Sequence, residues 1–383
     1  MGSRTKRIFI SDIHMGDDRS MSSPNTYCWF KNNAKVLTDF LDEQLKDTTV
    51  KEVVILGDLF DTWVIPANYD PLTNFANICS NPVNKPVIDK LAALAASPDI
   101  KLAYVPGNHD MGMDANGIIQ IKQFMEQEFR GIRFFCNTAV PWGVYNVGTL
   151  AAEHGNHYCL FNAPDTWTAN NTFLPLGYFI SRIVAYKVKH TGTSEDYYDI
   201  LTKFLTQVMN HHDVVGDLFD AVAADAGLAP NAPIDLKGVP GYPNTTTVGD
   251  IGNRFRNLVQ KWSDTPGNCN SLAATVNDLG NLYPGASSAY FEHFGSNTNI
   301  VIFGHTHIPV LVGRGLNPLE NPANQSPNDP WTYIYANCGS WVDGNENGCT
   351  YVETEEDVDA GRHYVRVISY PARTKLHEGF VKM

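Results

Sequence analysis

The strongest constraint on the fold of this chain is a regular alternation of two kinds of segment between Arg7 and Gly107. RIFI, VVILG and KLAYV are short apolar runs typical of buried strands, whereas NAKVLTDFLDEQL and VIDKLAALAA repeat apolar residues at helical spacing. Strands that alternate with helices form parallel sheets with right-handed crossovers. This part of the chain therefore predicts a β-α-β-α-β unit within an α/β fold.

The alternation breaks in the middle of the chain. A further helical segment, GIIQIKQFMEQEF, and strand-like pieces through GTLAAEH follow the first unit. Between about Cys159 and Tyr290, the helical stretches YFISRIVAYKV and DYYDILTKFLTQVM precede a segment rich in proline, glycine and asparagine, APNAPIDLKGVPGYPN. Strand-like segments resume with NIVIF and continue through TYIYANCGSW and HYVRVISY. We therefore predict a core formed by residues 1–158 and 291–383, interrupted by a mainly helical insertion, or cap, at 159–290.

Composition excludes several classes of protein. No segment approaches the roughly 18 to 20 apolar residues that span a bilayer, and MGSRTKR leads directly into IFISDIH, which favours a cytoplasmic protein. The seven cysteines contain no CxxC pair, which argues against a disulfide framework and a thiolate zinc site. A formal net charge of -13 without a basic stripe disfavours binding to a nucleic-acid polymer.

Polar residues follow several of the predicted strands. The first strand ends in SDIH, the second in GDLFD and the third in GNHD, and two later strands end in EHGN and GHTH. The carboxyl ends of strands in an open α/β sheet share one edge, where ligands bind. We therefore expect the following side chains to converge: Asp12, His14, Asp58, Asp61, Asn108, His109, Asp110, His154, His305 and His307.

Such a cluster of carboxylates and imidazoles predicts a metal site. Without a cation these groups would repel or shift their pKa values, at about 1.4 kcal/mol per pKa unit. Oxygen and nitrogen donors without thiolates suit manganese, iron, zinc or cobalt, whereas calcium or magnesium would not recruit this many histidines. The donors exceed the needs of one ion, so we expect two divalent ions about 3.5 to 4 Å apart, with Asp58 between them.

The ordered series DIH, GDLFD, GNHD, HG and GHTH resembles the signature of the calcineurin-like metallophosphoesterases, over roughly residues 7–160 and 298–345. The resemblance implies a two-layered β-sandwich flanked by helices and a dinuclear centre that hydrolyses phosphate esters with a hydroxide held between the ions. It also implies that Asp58 bridges the ions. The remaining ligands it implies are Asp12, His14 and His307 for the first ion, and Asn108, His154 and His305 for the second.

The resemblance gives His109 a catalytic role instead of a metal-binding one. Its counterpart in the family lies beside the scissile phosphate, where it would protonate the departing oxygen, with Asp110 as its orienting partner. Asp61 either caps the turn that follows it or supports the site from behind. His157 either lines the pocket or lies at the surface.

The expected substrate is a small-molecule or lipid-linked phosphate ester, either a phosphodiester or a pyrophosphate. GDLFDTW, HGNHYCLFN and YANCGSWVD are most similar to the branch of UDP-2,3-diacylglucosamine pyrophosphatases, although that branch has arginine in place of His109. The alternatives are that pyrophosphatase activity, a phosphomonoesterase, and a metal-binding phosphate scaffold without turnover. FLPLGYFISRIVAYKVK either makes a peripheral membrane contact through the insertion or packs against the core.

Overall fold

The structure is a computed structural model. It describes residues 4–22, 24–72, 75–110, 115–136, 143–159, 161–163, 174–191, 215–239, 242–256, 282, 290–291, 297–315 and 329–383. The helices of these ranges are α1 (Ala34–Lys46), α2 (Ala76–Ser80), α3 (Lys85–Ala95), α4 (Ala115–Glu128), α5 (Leu176–Thr191), α6 (Val215–Asp225) and α7 (Val248–Phe255). The strands are β1 (Lys6–Ile10), β2 (Val50–Leu56), β3 (Lys101–Val105), β4 (Arg133–Phe134), β5 (Tyr145–Val147), β6 (Leu150–Ala152), β7 (Pro233–Asp235), β8 (Thr245–Thr247), β9 (Ile300–Phe303), β10 (Val310–Gly315), β11 (Trp331–Asn337), β12 (Cys349–Asp357), β13 (Arg362–Tyr370) and β14 (Thr374–Lys382).

One mixed sheet contains all of these strands except the hairpin β7–β8. Its order is β4-β3-β2-β1-β12-β13-β14-β11-β9-β6-β5, with β10 paired to β11. β1 to β4 are parallel, and in this register Ile8 lies opposite Val53 and Leu56 opposite Val105. The predicted β-α-β-α-β unit is therefore confirmed. On the other side of β1, the antiparallel strands β12 to β14 continue the sheet.

The sheet curls so that its two halves face each other. Phe9 and Val54 from the parallel half share an apolar cluster with Ile302, Ala336 and Val365 from the other half. Neighbouring residues on the same strands point the opposite way, because side chains alternate between the faces of a strand. Ile8 and Ile10, for example, pack in a second cluster with residues of α1, α3 and α4. The predicted two-layered α/β fold with flanking helices is thus confirmed.

The described part of the insertion packs against the core. α5 is buried over most of its length, and Phe179 and Ile183 share a cluster with Tyr27, Trp63 and Val342. A peripheral membrane contact of this segment stays a prediction. The buried side chains of α5 pack inside the protein and are not exposed to a membrane. None of the described helices has the length and apolar character needed to cross a bilayer.

The domain boundaries at 158/159 and 290/291 also stay a prediction. Much of the insertion, including the segment DYYDILTKFLTQVM, lies outside the described residues.

A buried arginine joins α5 to the loop after β2. Arg182 is only 1% exposed. Its guanidinium donates to the main-chain carbonyls of Pro66 at 3.1 Å, Tyr69 and Asp235, and to the hydroxyl of Tyr178 at 3.1 Å. Arginine suits this position because its planar group carries five donors in a fixed arrangement. Arg182 therefore ties the insertion to the segment that immediately follows the GDLFD motif.

We expect Arg182→Met to lower the free energy of unfolding by about 3 kcal/mol or more, because each buried carbonyl left without a donor costs about 1–3 kcal/mol. Chemical denaturation measures the loss. Lys187→Met is the matched control on the same helix. Lys187 forms a salt bridge of 2.7 Å with the exposed Asp225, and such pairs contribute about 0–1 kcal/mol. Equal losses of unfolding free energy in the two variants would show that the buried hydrogen bonds of Arg182 do not stabilise the protein.

Candidate metal centre

The backbone at the predicted ligands adopts an unusual conformation. Positive φ angles occur at Asp12 (55°), His14 (56°), Asp58 (52°), His305 (73°) and His307 (60°). These are five of the seven described non-glycine residues with positive φ. Side chains disfavour this region, and residues held in it cluster at functional sites. The strained positions thus coincide with the strand ends that the motifs mark.

Close packing explains the glycines in these motifs. A Cβ atom at Gly57 would lie 2.7 Å from Nδ1 of His154, and one at Gly107 would overlap a carboxylate oxygen of Asp58. At Gly304 it would lie 2.8 Å from Oδ2 of Asp12. A side chain at any of these positions would push the polar groups apart. The glycine of each motif is therefore needed to bring the strand ends together.

Asp12, His14 and His307 form the first group of donors. Oδ1 of Asp12 lies 3.2 Å from Nε2 of His307 and 3.8 Å from Nε2 of His14, and the two Nε2 atoms are 3.2 Å apart. The other oxygen, Oδ2, accepts hydrogen bonds from the Ser11 hydroxyl and from the main-chain N–H of His305 at 2.8 Å. Oδ1 has no hydrogen-bond donor among the described residues. This oxygen is therefore left to face the two imidazoles.

Asp58, His154 and His305 form a second group. Nε2 of His154 lies 3.2 Å from Oδ2 of Asp58, 3.3 Å from Nδ1 of His305 and 2.9 Å from Oδ1 of Asn108. On its other side, Nδ1 of His154 donates to the carbonyl of Leu56 at 2.7 Å. That bond places a proton on Nδ1, so Nε2 is the nitrogen that faces the group and is left for an ion.

Asp58 connects the two groups. Its Oδ1 accepts the main-chain N–H of His109 at 2.8 Å. Its Oδ2 lies 3.2 Å from Nε2 of His154 and 3.6 Å from Nε2 of His14. Asp58 also forms a third group with His14 and His109. One carboxylate oxygen therefore faces ligands of both groups.

The donor set fits divalent cations. Ligand atoms about 2.1 Å from an ion lie about 3.0–3.4 Å apart in octahedral or tetrahedral coordination, close to the separations of 3.2–3.3 Å found for the paired atoms of Asp12, Asp58 and the histidines. Two imidazole nitrogens that face each other, as in His14 and His307, repel unless a proton or a cation lies between them. The set contains only oxygen and nitrogen donors, which suits manganese, iron or zinc.

The ionisable side chains of the centre shift each other's pKa values. Burial alone would lower the pKa of His14, but the nearby carboxylates, first that of Asp12 and then that of Asp61, raise it to about 10. Burial opposes ionisation of Asp58, yet the positive charge of His154 lowers the pKa of that carboxyl to about 2. Burial lowers the pKa of His305 to about 3. A bound cation would replace the additional proton of an imidazole such as His14, so metal binding at that residue releases a proton, whereas His305 is already neutral.

His109 lies beside both groups. Its Nδ1 is 3.1 Å from Oδ1 of Asp61, and Oδ2 of the same carboxylate is 3.2 Å from Nδ1 of His14. The indole of Trp63 stacks on the His109 ring at 4.4 Å with an interplanar angle of 28°. Asp61 thus orients two imidazoles, and Trp63 fixes the plane of one.

Both alternatives for Asp61 hold at once. Besides contacting His109 and His14, its Oδ1 accepts the main-chain N–H groups of Trp63 at 3.0 Å and Val64 at 2.9 Å. These bonds cap the turn after the motif. The same carboxylate therefore holds the loop and supports the site.

Asp110 has different contacts from those predicted. Its carboxylate accepts the main-chain N–H groups of Leu59 and Gly107, each at 2.8 Å, and the hydroxyl of Tyr104. Burial, followed by the charge of Asp58, raises the pKa of this carboxyl to about 6. These bonds join the loops after β2 and β3. The partner of the His109 ring is therefore Asp61, and Asp110 fastens the loops beneath it.

His157 is buried, with 5% exposure, so its predicted surface alternative is wrong. Its Nε2 lies 3.5 Å from a carboxylate oxygen of Glu153, and its ring is 4.1 Å from that of Tyr158. Burial lowers the pKa of His157 to about 3, which favours the neutral imidazole. Its position is therefore interior to the fold.

Sequence reasoning missed three residues at this centre. The ring of Trp29 lies 4.5 Å from that of His14 and 5.5 Å from that of His307, in a segment without a motif. Trp63 follows GDLFDT directly, which was the available signal. The third is Asn162, whose Nδ2 lies 3.2 Å from Nε2 of His305.

Solved structures with similarity to this chain include two phosphatase-like proteins. A purple acid phosphatase from yellow lupin (Lupinus luteus) seeds shares 10% identity and a TM-score of 0.41, with 99% of this chain and 53% of the lupin chain covered. A predicted phosphoesterase from Streptococcus pneumoniae shares 12% identity and a TM-score of 0.28, with 99% and 98% covered. A third structure, the anchor in the inner membrane complex of Plasmodium, has 10% identity, a TM-score of 0.36, and 99% and 89% covered. These scores are too low to support an argument about function.

No curated protein matches the sequence. The family is shown by comparison with models of protein families. The family model for calcineurin-like phosphoesterases matches residues 5–309, a range that contains every candidate residue from Asp12 to His307. The chain therefore belongs to the calcineurin-like phosphoesterase family, whose members are metal-dependent hydrolases of phosphate esters.

Proposed function

We propose that this protein hydrolyses phosphodiesters or pyrophosphates with two divalent ions held at the strand ends. The observation that carries the proposal is the position of Asp58, whose Oδ2 faces His154 at 3.2 Å and His14 at 3.6 Å. A shared anionic ligand is what two adjacent cations need in order to remain close together.

The chain offers a complete ligand set for two ions. Asp12, His14 and His307 would hold the first, with Asn108, His154 and His305 holding the second and Asp58 bridging them. Bound ions would supply positive charge to the phosphate oxygens and lower the pKa of the attacking water toward about 7. Manganese, iron and zinc all accept these donors.

His109 is the proposed general acid. Because Asp61 occupies Nδ1 at 3.1 Å, the nitrogen left for proton transfer is Nε2. The stacked ring of Trp63 restricts rotation of the imidazole. In the proposed reaction water loses one proton to solvent and attacks phosphorus as hydroxide. The bond from phosphorus to the leaving oxygen breaks, and His109 gives its proton to that oxygen and regains one from solvent.

We expect substrates with one negative charge per phosphate, because the carboxylates of the site already bring negative charge close to any bound phosphate. Within the described ranges, the carboxylates of Asp12, Asp58 and Asp61 are paired with imidazoles and not with lysine or arginine. A monoester dianion brings an additional charge that arginine commonly neutralises. Diesters and disubstituted pyrophosphates carry only one charge on each phosphate. The net charge of -13 also supports a small-molecule or lipid-linked substrate over a nucleic-acid polymer.

The test is hydrolysis by the metal-loaded protein. We expect steady turnover of bis-p-nitrophenyl phosphate with added Mn²⁺, faster than that of p-nitrophenyl phosphate, and its loss after chelation. Faster cleavage of the monoester would favour a phosphomonoesterase. Metal binding without turnover of either compound would favour the phosphate scaffold. Cleavage of UDP-2,3-diacylglucosamine in preference to simpler diesters would identify the pyrophosphatase alternative.

We expect Asp58→Asn to lose at least one ion and nearly all diesterase activity, because the amide removes a negative charge from between two cations while keeping the shape. Elemental analysis and the diesterase assay measure the two losses. Asp357→Asn is the control, since Asp357 lies at the end of β12 and accepts the N–H of Ala360 at 3.0 Å. Two ions and normal turnover in Asp58→Asn would remove this residue from the bridge.

We expect His109→Ala to retain both ions and to slow diesters of poor leaving groups by about 10²–10⁴-fold, the usual contribution of a general acid. Esters of p-nitrophenol should slow much less, because p-nitrophenolate leaves without protonation. The measurement compares kcat for a p-nitrophenyl diester and an alkyl diester. Equal slowing of the two substrates would indicate phosphate binding instead of proton transfer.

A further inference from the structure

We propose that Asn162, a residue of the predicted insertion, positions His305 as a ligand of the second ion. This inference rests on the dinuclear centre proposed above and adds a residue outside the five motifs DIH, GDLFD, GNHD, HG and GHTH. The contact that carries it joins Nδ2 of Asn162 to Nε2 of His305 at 3.2 Å. The opposite ring nitrogen of His305, Nδ1, lies 3.3 Å from Nε2 of His154, within the second group of donors.

His305 is the proposed ligand whose ring has the greatest need of support. Of the seven ligands, it alone is partly exposed, and the other six are buried. Its main-chain N–H is fixed by Oδ2 of Asp12 at 2.8 Å, but that bond does not restrain rotation of the ring. A contact at Nε2 does, because the ring cannot turn without breaking it. Asn162 supplies this contact from eight residues beyond the HG motif that begins at His154.

The chemistry of a ligating imidazole defines what Asn162 contributes. If Nδ1 gives its lone pair to an ion, the neutral ring carries its proton on Nε2. That N–H needs an acceptor, and histidine ligands usually have one in a carboxylate, a carbonyl or water. The side-chain amide of Asn162 can present either its oxygen or its nitrogen at this position. In the metal-bound protein Oδ1 therefore accepts a hydrogen bond from the N–H at Nε2.

Asn162 is itself held in place. Its main-chain N–H donates to the carbonyl of Cys159 at 3.1 Å, and its carbonyl accepts from Nδ2 of Asn156 at 3.1 Å. A Cβ atom at Gly177, in the first turn of α5, would overlap the side-chain oxygen of Asn162. The amide thus lies between the loop after His154 and the start of α5. The insertion reaches the metal centre through this residue.

The test is metal affinity without substrate. Asn162→Leu keeps the size of the side chain but removes the acceptor, and we expect the dissociation constant of one of two Mn²⁺ ions to rise about 10–100-fold. Asn162→Asp restores an acceptor and should bind that ion at least as tightly as the natural chain. Calorimetric titration and elemental analysis measure both ions. Asn146→Leu, at the exposed position of β5, is the matched control and should bind like the natural chain.

Two results would contradict the role of Asn162 and leave the dinuclear centre unaffected. In the first, Asn162→Leu binds both ions as tightly as the natural chain. In the second, Asn162→Asp binds as weakly as Asn162→Leu, so an acceptor at this position does not matter and Asn162 has a role in folding only. A natural chain that binds fewer than two ions would overturn the dinuclear centre and this inference together. If Asn162→Leu fails to fold, Gly177→Ala tests the same contact by displacing the amide. It should weaken the same ion, and unchanged affinity would contradict the proposal.

Discussion

The structure depends on the burial of several acidic groups at one point of the sheet. Asp12, Asp58 and Asp61 are each less than 5% exposed. Buried carboxylates repel each other unless donors and positive charges surround them. Here the imidazoles and main-chain N–H groups of the neighbouring loops supply that compensation. The loops must approach closely to do so, which is consistent with the glycines of the motifs and with the left-handed backbone of five of the seven candidate ligands.

The sheet register brings these loops together from distant parts of the chain. Pairing of Leu56 with Val105 at the ends of β2 and β3 places Asp58 beside His109. In the other half of the sheet, β6 and β9 are parallel neighbours, so His154 and His305 follow adjacent strands. The curl then closes the distance between the halves through the cluster that contains Phe9 and Ile302. The packed interior of the sheet therefore sets the distances at the metal centre.

The sequence predicted which loops meet but not how each side chain turns within them. Motif order and strand pattern placed His109 and its neighbours at one edge, because those features depend on backbone direction. Asp110 was predicted to orient His109, but the side chains of these adjacent residues point in different directions. The carboxylate that contacts the His109 ring belongs to Asp61, in the loop after β2. Trp29 gave no signal, since its contact with His14 depends on the path of an irregular segment. Side-chain direction in loops is a tertiary property that spacing does not encode.

The segment predicted as an insertion contacts the candidate metal centre at two separate places. Its helix α5 holds the loop after β2 through Arg182, and Tyr178 meets Trp63 edge to face at 5.9 Å, on the residue that stacks against His109. At its beginning, Asn162 contacts His305. Neither contact requires this segment to touch a bound phosphate. One contact acts on Trp63 and the loop after β2, and the other acts on His305. The positions of two candidate site residues, His109 and His305, therefore depend on a segment outside the five short motifs. We expect changes in that segment to move these residues even when the motifs stay the same.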